Sequence, residues 1–321
     1  MQKPRIGVLV LMLHKESKEQ SGIKKPRPLE KIQANPNYNI IFGDQISFVN
    51  EKTQIQNQEI DILFDRYPYQ KNPLKDPLRL RKTKQNISIP ICNPRDFILL
   101  CKDKWKFQKY IEQHDIFMPE ISKDCFGEYI KKWNGQAIAK PRFGSFGIGI
   151  ELVNSIPEAT RPSVHGFDPT LIQQYIKPPQ GYAGIAIRQL IQRNADRSWT
   201  YRTIVARCSK IDPIVNASRG ASIERAIDIL PKNCCFQIES LSRKIAVTLG
   251  KLSPYIIEVG LDYVIDESYS PIFIEANAQP KGKLRSLVLQ KKIKALQEEH
   301  EHILQHPFDV MSKWAYEKNH R

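Results

Sequence analysis

The residues Glu258-Val-Gly-Leu-Asp262-Tyr-Val-Ile-Asp266 and Pro271-Ile-Phe-Ile-Glu275-Ala-Asn277 form two apolar runs around a short polar segment. This pattern is typical of two antiparallel strands joined by a hairpin. A turn over residues 267–270 sets Asp262 opposite Glu275, and the alternation of a strand puts Asn277 on the face of Glu275. Opposed carboxylates repel each other unless a cation lies between them, and Mg²⁺ prefers oxygen ligands. The hairpin therefore predicts a metal site, with a solvated polar sheet face as the alternative.

A glycine-rich loop joins two further predicted strands, residues 137–140 and 150–153. It contains Gly144, Ser145 and Gly147, and Lys140 ends the incoming strand. Glycines allow backbone N–H groups to approach phosphate oxygens, and a lysine in this place can reach the same phosphates. Because the lysine precedes the glycines and a strand follows them, the segment is neither a P-loop nor a dinucleotide fingerprint. Glycines that only form a hairpin turn are the alternative.

The order of these segments along the chain resembles that of the ATP-grasp superfamily. A lysine-bearing helix comes first, then the strand and glycine loop, a linker at 173–176, strands with arginine and asparagine, and finally the Asp262 hairpin. Within the superfamily the chain is most similar to the endospore coat-associated YheC/YheD-like group, and the resemblance covers roughly residues 60–285. The matching segments are Leu63-Phe-Asp65-Arg66, Asp103-Lys104-Trp105, Ile187-Arg188, Trp199, Ala206-Arg207 and Asn216-Ala-Ser-Arg-Gly220.

The resemblance implies that ATP and two Mg²⁺ ions are the cofactors, with Mn²⁺ as an alternative metal. Lys104 and Lys140 would contact the α- or β-phosphate, and the extended linker would recognise adenine through its backbone, so that side-chain identity there matters less. The residues implied to bind the nucleotide are Lys104, Lys140, Gly144, Ser145, Gly147, Gln173, Gln174, Tyr175, Ile176 and Asn216.

The remaining implied site residues concern the metal ions and the transferred phosphoryl group. Asp262, Glu275 and Asn277 would be the metal ligands, assisted by Asn216. Two arginines, Arg188 and Arg207, would be catalytic: they match residues that hold the γ-phosphate and the acyl-phosphate or carboxylate, a task suited to the planar guanidinium fork.

Two positions depart from the family pattern. Ala186 stands where an acidic residue is usual, and Ala221 stands where a second glycine is usual. No acidic residue that could bind the ribose hydroxyls follows the linker closely. Neither substitution touches a predicted metal ligand.

The resemblance implies an ADP-forming carboxylate–amine ligase that makes an amide through an acyl-phosphate. Its partners would be ATP, a carboxylate-bearing substrate and an amine acceptor. A catalytically quiet ATP-grasp scaffold with a structural or coat-associated role is the alternative, which Ala186 and Ala221 favour. A phosphotransferase on the same fold is a third reading, distinguished by phosphate that stays on the product.

The length and hydrophobic pattern predict an α/β protein with two or three compact units. The expected units are an N-terminal α/β domain at residues 1–93, a smaller ATP-grasp lobe at 94–175, and a larger lobe at 176–321. The expected strands of the first domain are Ile6 to Leu13, Asn39 to Phe42 and Ile60 to Phe64. Helical spacing is expected at 104–114, 235–249 and 284–304, with Glu298, Glu299 and Glu301 on a solvated face.

The net charge of +15 is concentrated in residues 1–110, where 21 Lys and Arg face 11 Asp and Glu, so that +10 lies there. The loops 14–31 and 71–84 hold most of the excess. A solvated basic face is the favoured interpretation; an acidic peptide or an anionic polymer as substrate is a weaker hypothesis. No stacking-aromatic motif, helix-turn-helix or zinc finger indicates specific nucleic-acid binding.

Cysteine usage and hydropathy bear on the compartment. The six cysteines include no CxxC pair, which favours reduced thiols and a cytoplasmic location. The resemblance adds spore or envelope association as an alternative. Residues 6–13 are more typical of a buried first strand than of a signal peptide, and no run approaches the length of a membrane span.

Overall fold

The computed structural model describes residues 3–9, 35–43, 46–49, 52–66, 88–124, 126–144, 147, 149–154, 170–215, 220–280 and 284–319. The basic loops 14–31 and 71–84, and the predicted site residues Ser145 and Asn216, lie outside these ranges. The described part is a mixed α/β fold, as predicted.

The strands, in chain order, are β1 (Arg5–Leu9), β2 (Asn39–Gly43), β3 (Ser47–Val49), β4 (Lys52–Ile55), β5 (Gln58–Glu59), β6 (Ile62–Asp65), β7 (Ile91–Cys92), β8 (Ile121–Ser122), β9 (Ala137–Pro141), β10 (Glu151–Val153), β11 (Thr170–Gln174), β12 (Gly184–Arg193), β13 (Trp199–Tyr201), β14 (Val205–Ser209), β15 (Ser222–Arg225), β16 (Glu258–Ile265) and β17 (Pro271–Asn277). The helices are α1 (Arg95–Lys102), α2 (Lys104–Glu112), α3 (Phe126–Lys132), α4 (Ala226–Ile229), α5 (Lys232–Gly250), α6 (Leu284–Lys291) and α7 (Lys294–Asn319).

The N-terminal sheet is parallel, with the order β2-β1-β6-β7. Alternation along β1 buries Ile6 and Val8 on one face, where they share a core with Phe308 and Trp314 of α7. The end of the chain therefore returns to cover the first sheet. The three strands predicted for this region correspond to β1, β2 and β6; residues 10–13 of the first prediction lie outside the described ranges.

Strands β3, β4 and β5 form a small antiparallel sheet, and two further antiparallel sheets follow. The smaller has the order β10-β9-β11-β8, and the larger has the order β15-β14-β12-β16-β17, with β13 paired to β12. Helices α1, α2 and α5 place apolar side chains in the core of the larger sheet, where Phe107 of α2 contacts Phe273 of β17 with ring centroids 6.1 Å apart. Helix α2 also begins beside the smaller sheet, because the Lys104 N–H donates to the carbonyl oxygen of Arg142, just after β9, at 3.2 Å. The predicted unit boundaries at 93 and 175 stay predictions.

Asn93 connects the N-terminal sheet to the larger one. Its side chain is 1% exposed. The carboxamide donates to the carbonyl oxygens of Glu258 (2.7 Å) and Ala278 (2.5 Å) and accepts from the N–H of Ile257 (2.6 Å). These bonds fix the ends of β16 and β17 relative to the first sheet, because a buried polar group is costly when unpaired.

The C-terminal helical prediction is wrong in one respect. A single helix was expected over residues 284–304, whereas the structure has two helices separated at Lys292, whose φ of 52° is left-handed and cannot continue a helix. Glu299 is not simply solvated either, because it accepts from the Thr203 N–H at 2.8 Å and from the Thr203 hydroxyl at 2.5 Å. Across the part of the chain that the structure describes, every helix is too short or too polar to cross a bilayer.

Candidate active site

The predicted hairpin is present, and Asp262 lies opposite Glu275. The turn differs from the expected one, since it spans residues 266–270 and Ile265 pairs with Pro271. With that turn alone, Asp262 would pair with Ile274 instead of Glu275. An irregularity between Asp262 and Tyr263 restores the predicted pair, because a bulge adds one residue to one strand. The bulge therefore brings the two carboxylates together.

The three predicted metal ligands are in mutual contact. The Asn277 carboxamide nitrogen lies 3.0 Å from Asp262 Oδ2 and 3.2 Å from Glu275 Oε1, donating to both. Arg188, directly opposite Asp262 on β12, donates to both oxygens of that carboxylate as a bidentate fork. The cation needed between opposed carboxylates is thus supplied in part by this guanidinium.

The Arg188–Asp262 pair is electrostatically strong. Burial alone would raise the pKa of Asp262, but the guanidinium of Arg188 holds it below the usual value. Burial likewise opposes the charge of Arg188, and the Asp262 carboxylate nevertheless raises the pKa of that guanidinium. Both groups therefore stay charged near neutral pH.

Arg207 is the second predicted catalytic arginine and lies on β14. Its Nη2 is 3.9 Å from Asp262 Oδ1, and its Nη1 donates to the Val215 carbonyl at 3.4 Å. The buried Nε of Arg207 has no hydrogen-bond partner among the described residues. A buried donor without a partner is costly, so this atom is suited to an anionic ligand.

Lys104 is held at the first turn of α2 by the residue before it. Asp103 caps the helix by accepting from the Lys106 N–H at 3.2 Å, and its carboxylate also receives Nε and Nη2 of Arg142, each at 2.7 Å. Arg142 follows β9, so this ion pair joins the start of α2 to the end of the strand that carries Lys140. The Lys104 ammonium donates to the Gly144 carbonyl at 3.1 Å.

Lys140 is 4% exposed, and its ammonium donates to Gln173 Oε1 at 2.8 Å. Burial, together with the neighbouring charge of Lys104, lowers the pKa of Lys140 to about 7. Burial also lowers the pKa of Lys104, and both lysines line the same cleft, so they are suited to a ligand with several negative charges.

The glycine loop has the backbone conformation that its sequence suggests. Gly147 and Gly149 have φ values of 70° and 73°, in the left-handed region that a side chain disfavours. Strand β10, which follows the loop, pairs antiparallel with β9, which precedes it. The loop therefore joins two paired strands, as predicted, while its residues Ser145, Phe146 and Ile148 lie outside the described ranges and its contact with phosphate stays a prediction.

The linker 173–176 was expected to act through its backbone, and for Gln173 this expectation is incomplete. Gln173 and Gln174 are the last residues of β11, and the Gln174 N–H already donates to the Glu120 carbonyl at 2.8 Å. The Gln173 side chain is buried and contacts Lys140. Only Tyr175 and Ile176 follow the end of the strand, so an adenine edge would find its backbone partners there.

One cleft of about 380 Å³ lies between the smaller and larger sheets, and it brings the predicted residues together. The predicted site residues that line it are Lys104, Lys140, Gly144, Gly147, Gln173, Gln174, Tyr175, Ile176, Arg188, Arg207, Asp262, Glu275 and Asn277. Ala186 also lines the cleft, so its methyl group stands where an acidic side chain is usual in the family. The individual role of each residue stays a prediction.

Sequence reasoning missed several residues of the cleft. Lys102 and Gln279 line it, and the Gln279 carboxamide donates to the Asp65 carbonyl at 3.0 Å, next to the first sheet. Burial lowers the pKa of Lys102 to about 8. A motif search gives no signal for these residues because their proximity depends on how the sheets pack. The apolar side chains of the cleft include Ile98, Ile138, Ile150, Ile185, Ile214, Val264, Ile265 and Ile274.

Two carboxylates and one carboxamide make up the candidate metal site. Among the described residues, no group of three or more His, Cys, Asp and Glu side chains could hold a metal ion. The donors of Asp262, Glu275 and Asn277 fit a hard cation that takes its other ligands from water and phosphate, which is how proteins commonly bind Mg²⁺. Cys92, Cys101, Cys208, Cys234 and Cys235 carry free thiols.

Comparison with protein families agrees with the resemblance seen in the sequence. A family model described as YheC/D-like ATP-grasp matches residues 153–306, which is just under half of the chain. The matched segment contains both arginines and all three predicted metal ligands, but not Lys104 or Lys140. No curated protein matches the chain.

Solved structures share the fold over nearly the whole chain. D-alanine–D-alanine ligase from Bacillus anthracis, complexed with ATP, has a TM-score of 0.61 and 15% identity and covers 100% of both chains. VanG D-Ala:D-Ser ligase from Enterococcus faecalis has a TM-score of 0.62 and 12% identity over 96% of this chain and 99% of its own. A RimK domain ATP-grasp protein from Sphaerobacter thermophilus has a TM-score of 0.55 and 14% identity over 94% and 99%. The chain therefore has an ATP-grasp fold.

Proposed function

We propose that this protein is an ATP-dependent carboxylate–amine ligase that forms an amide through an acyl-phosphate and releases ADP and phosphate. The observation that carries the proposal is the cleft itself. It combines two lysines, two arginines and the Asp262, Glu275 and Asn277 cluster in one cleft. Structural neighbours with the same fold include ligases that join amino acids.

The nucleotide would lie between the smaller and larger sheets. Lys104 and Lys140 would contact its phosphates, and the N–H groups of the loop from Gly144 to Gly147, Ser145 among them, would cover them. The adenine ring would rest among the isoleucines of the cleft and meet the backbone of Tyr175 and Ile176. An apolar slot with a few polar groups is the usual form of such a site.

The metal ligands would be Asp262, Glu275 and Asn277, with Asn216 assisting. Mg²⁺, when bound, neutralises phosphate charge and orients the γ-phosphoryl group. To coordinate such an ion, Glu275 and Asn277 would exchange the hydrogen bond between them for metal contacts, whereas Asp262 would share its carboxylate with Arg188. This sharing favours modest metal affinity.

The chemistry would depend on positioning and charge and would need no protein nucleophile. A substrate carboxylate oxygen bonds to the γ-phosphorus, and the bond to the β-bridging oxygen breaks, which gives an acyl-phosphate and ADP. A neutral amine would then attack the acyl carbon, and phosphate would leave with the electron pair of the broken carbon–oxygen bond and take up the proton that the amine loses. Arg188 and the unpartnered Nε of Arg207 would stabilise the charge on the transferring group and on the acyl-phosphate.

The substrates would be a carboxylate-bearing molecule and an amine acceptor. An acidic peptide or an anionic polymer is the weaker hypothesis that the positive charge of residues 1–110 suggests, beside a solvated basic face, and association with the spore or envelope would fit such a substrate. Attraction of this kind weakens with added salt, so a strong loss of substrate binding between low and high ionic strength would support the polyanion.

The test is calorimetric titration of ATP into the protein, with Mg²⁺ and then with EDTA. Mg²⁺-dependent binding is expected, followed by ADP release when carboxylates and amines are screened in pairs. Lys140→Ala should lower ATP affinity, because a phosphate contact is lost. Unchanged binding and turnover in both Lys140→Ala and Glu275→Gln would refute the assignment of the site.

A second candidate is a catalytically quiet ATP-grasp scaffold with a structural or coat-associated role. Two observations favour it: Ala186 lines the cleft where an acidic side chain is usual, and Arg188 already neutralises Asp262. No ATP binding at millimolar concentration, with a folded protein, would support the scaffold over the ligase.

A further inference from the structure

Behind Lys140 lies a buried pair of carboxamides that the predicted catalytic residues do not include. Gln108 of α2 is 1% exposed and Gln173 of β11 is 4% exposed. The Gln173 oxygen accepts from the Lys140 ammonium at 2.8 Å, and its nitrogen lies 3.5 Å from Gln108 Oε1. Gln108, Gln173 and Lys140 therefore form a continuous chain of hydrogen bonds from a helix to the cleft.

The orientation of both carboxamides is fixed by the Pro119 carbonyl. A carbonyl oxygen can only accept, and it receives the nitrogen of Gln108 at 2.8 Å and the nitrogen of Gln173 at 3.3 Å. A second acceptor, Glu112 Oε1, lies 3.0 Å from the Gln108 nitrogen. Because both nitrogens must face these acceptors, the Gln173 oxygen must face Lys140.

An amide partner suits a lysine that has to bind a ligand. A carboxylate in the place of Gln173 would pair with the ammonium and cancel its charge, whereas a neutral oxygen positions the ammonium and leaves the charge intact. Gln108 also lies one helical turn after Lys104, so α2 carries one lysine and braces the other. The two lysines are consequently fixed relative to each other.

We propose that Gln108 is a positioning residue of the nucleotide site: acting through Gln173, it holds the Lys140 ammonium towards the nucleotide phosphates. This inference rests on the proposed function, since it concerns the same site. Gln108 is not among the residues that line the cleft, and Gln173 lies between it and Lys140. Its removal should therefore weaken only those ligands that Lys140 contacts.

The test compares Gln108→Met, which keeps the length of the side chain and removes its hydrogen bonds, with Gln113→Met, an exposed glutamine just after the same helix. ATP affinity with Mg²⁺ is measured by calorimetry, adenosine affinity by ligand-observed NMR, and folding by thermal unfolding. Gln108→Met should weaken ATP binding by about five- to thirty-fold, because the Lys140 ammonium is held less firmly, and leave adenosine binding unchanged. Gln113→Met should bind both as the wild type does.

A double-mutant cycle separates positioning from general damage. If Gln108 acts through Lys140, Gln108→Met should have no further effect on ATP binding in a Lys140→Met background. Additive losses, an equal loss for adenosine and ATP, or an unchanged affinity in Gln108→Met would each overturn the inference and leave the proposed function standing. If Gln108→Met fails to fold, Gln173→Met breaks the same chain from its other end and is judged by the same cycle. Wild-type protein that binds no ATP would refute the proposed function, and the inference with it.

Discussion

Gly260→Ala should destabilise the protein by displacing Arg188. A Cβ atom built at residue 260 lies 2.7 Å from Arg188 Nη1, 3.2 Å from Arg188 Cζ and 3.1 Å from Pro280 Cβ. The proline ring is rigid, so the guanidinium must move, and its bidentate contact with Asp262 is lost or lengthened. Glycine is therefore needed at this position because the Arg188 guanidinium occupies the place of a side chain, and not because of its backbone conformation.

The expected loss in the free energy of unfolding combines one cost, estimated in two ways, with one smaller gain. Overpacking a filled interior costs about 1–3 kcal/mol. Losing one hydrogen bond to a charged group costs about 1.5–3 kcal/mol. Gly→Ala on a compatible backbone returns about 0.4–1 kcal/mol by restricting the unfolded chain. The expected net loss in the free energy of unfolding is about 1–2 kcal/mol.

Urea unfolding of the protein without nucleotide or metal measures this loss. The matched comparison is Gly260→Ala in an Arg188→Met background, where no guanidinium remains to collide with the new methyl group. The cost should there fall to near zero, which corresponds to a coupling of about 1–2 kcal/mol between the two positions. An equal loss in both backgrounds, or no loss in the wild-type background, would refute the packing argument.

Three further predictions address charge and capping. Glu275→Gln should abolish Mg²⁺-dependent ATP binding in calorimetry, whereas Glu267→Gln, an exposed residue of the hairpin turn, should not; equal behaviour of the two would contradict the metal assignment. Because burial lowers the pKa of Lys140 to about 7 from 10.5, the unfolded chain binds more protons between these values, so the stability of the wild type relative to Lys140→Met should rise from pH 7 to about pH 10; urea midpoints that give a flat or falling difference would contradict it. Asp103→Ala should lower the free energy of unfolding by about 2–4 kcal/mol, since it removes a helix cap and leaves Arg142 unpaired, and Asp103→Asn should lose less because it keeps the cap; equal losses would show that the cap is not the cause.

Several parts of the candidate site could be predicted from the sequence because they depend on local periodicity. Alternation in residues 258–277 predicts the hairpin, and the glycines after Lys140 predict the loop between β9 and β10. The Asp262–Glu275 pair was predicted correctly from a turn that is one residue too short, and the bulge beside Asp262 compensates. A bulge carries no sequence signal here, since it arises from how two particular strands fit into the sheet.

The pairing of charges within the site, in contrast, could not be predicted from the sequence. From the sequence, Arg188 and Asp262 were assigned to different ligands, one to phosphate and one to metal. In the fold they are cross-strand neighbours and neutralise each other. Likewise, the sequence predicted that Gln173 would act through its backbone. In the fold its side chain accepts from Lys140 and contacts Gln108 of α2.

The sequence by itself determined the order of elements, the ATP-grasp resemblance and the candidate residues, because strand alternation, helix spacing and short motifs are properties of neighbouring residues. Only the tertiary structure decided which of those residues share the cleft and how their charges are partnered. Burial, pairing across strands separated by more than seventy residues and the direction of a carboxamide all depend on contacts between distant segments, and those contacts set the pKa values and the free donors on which function would rest.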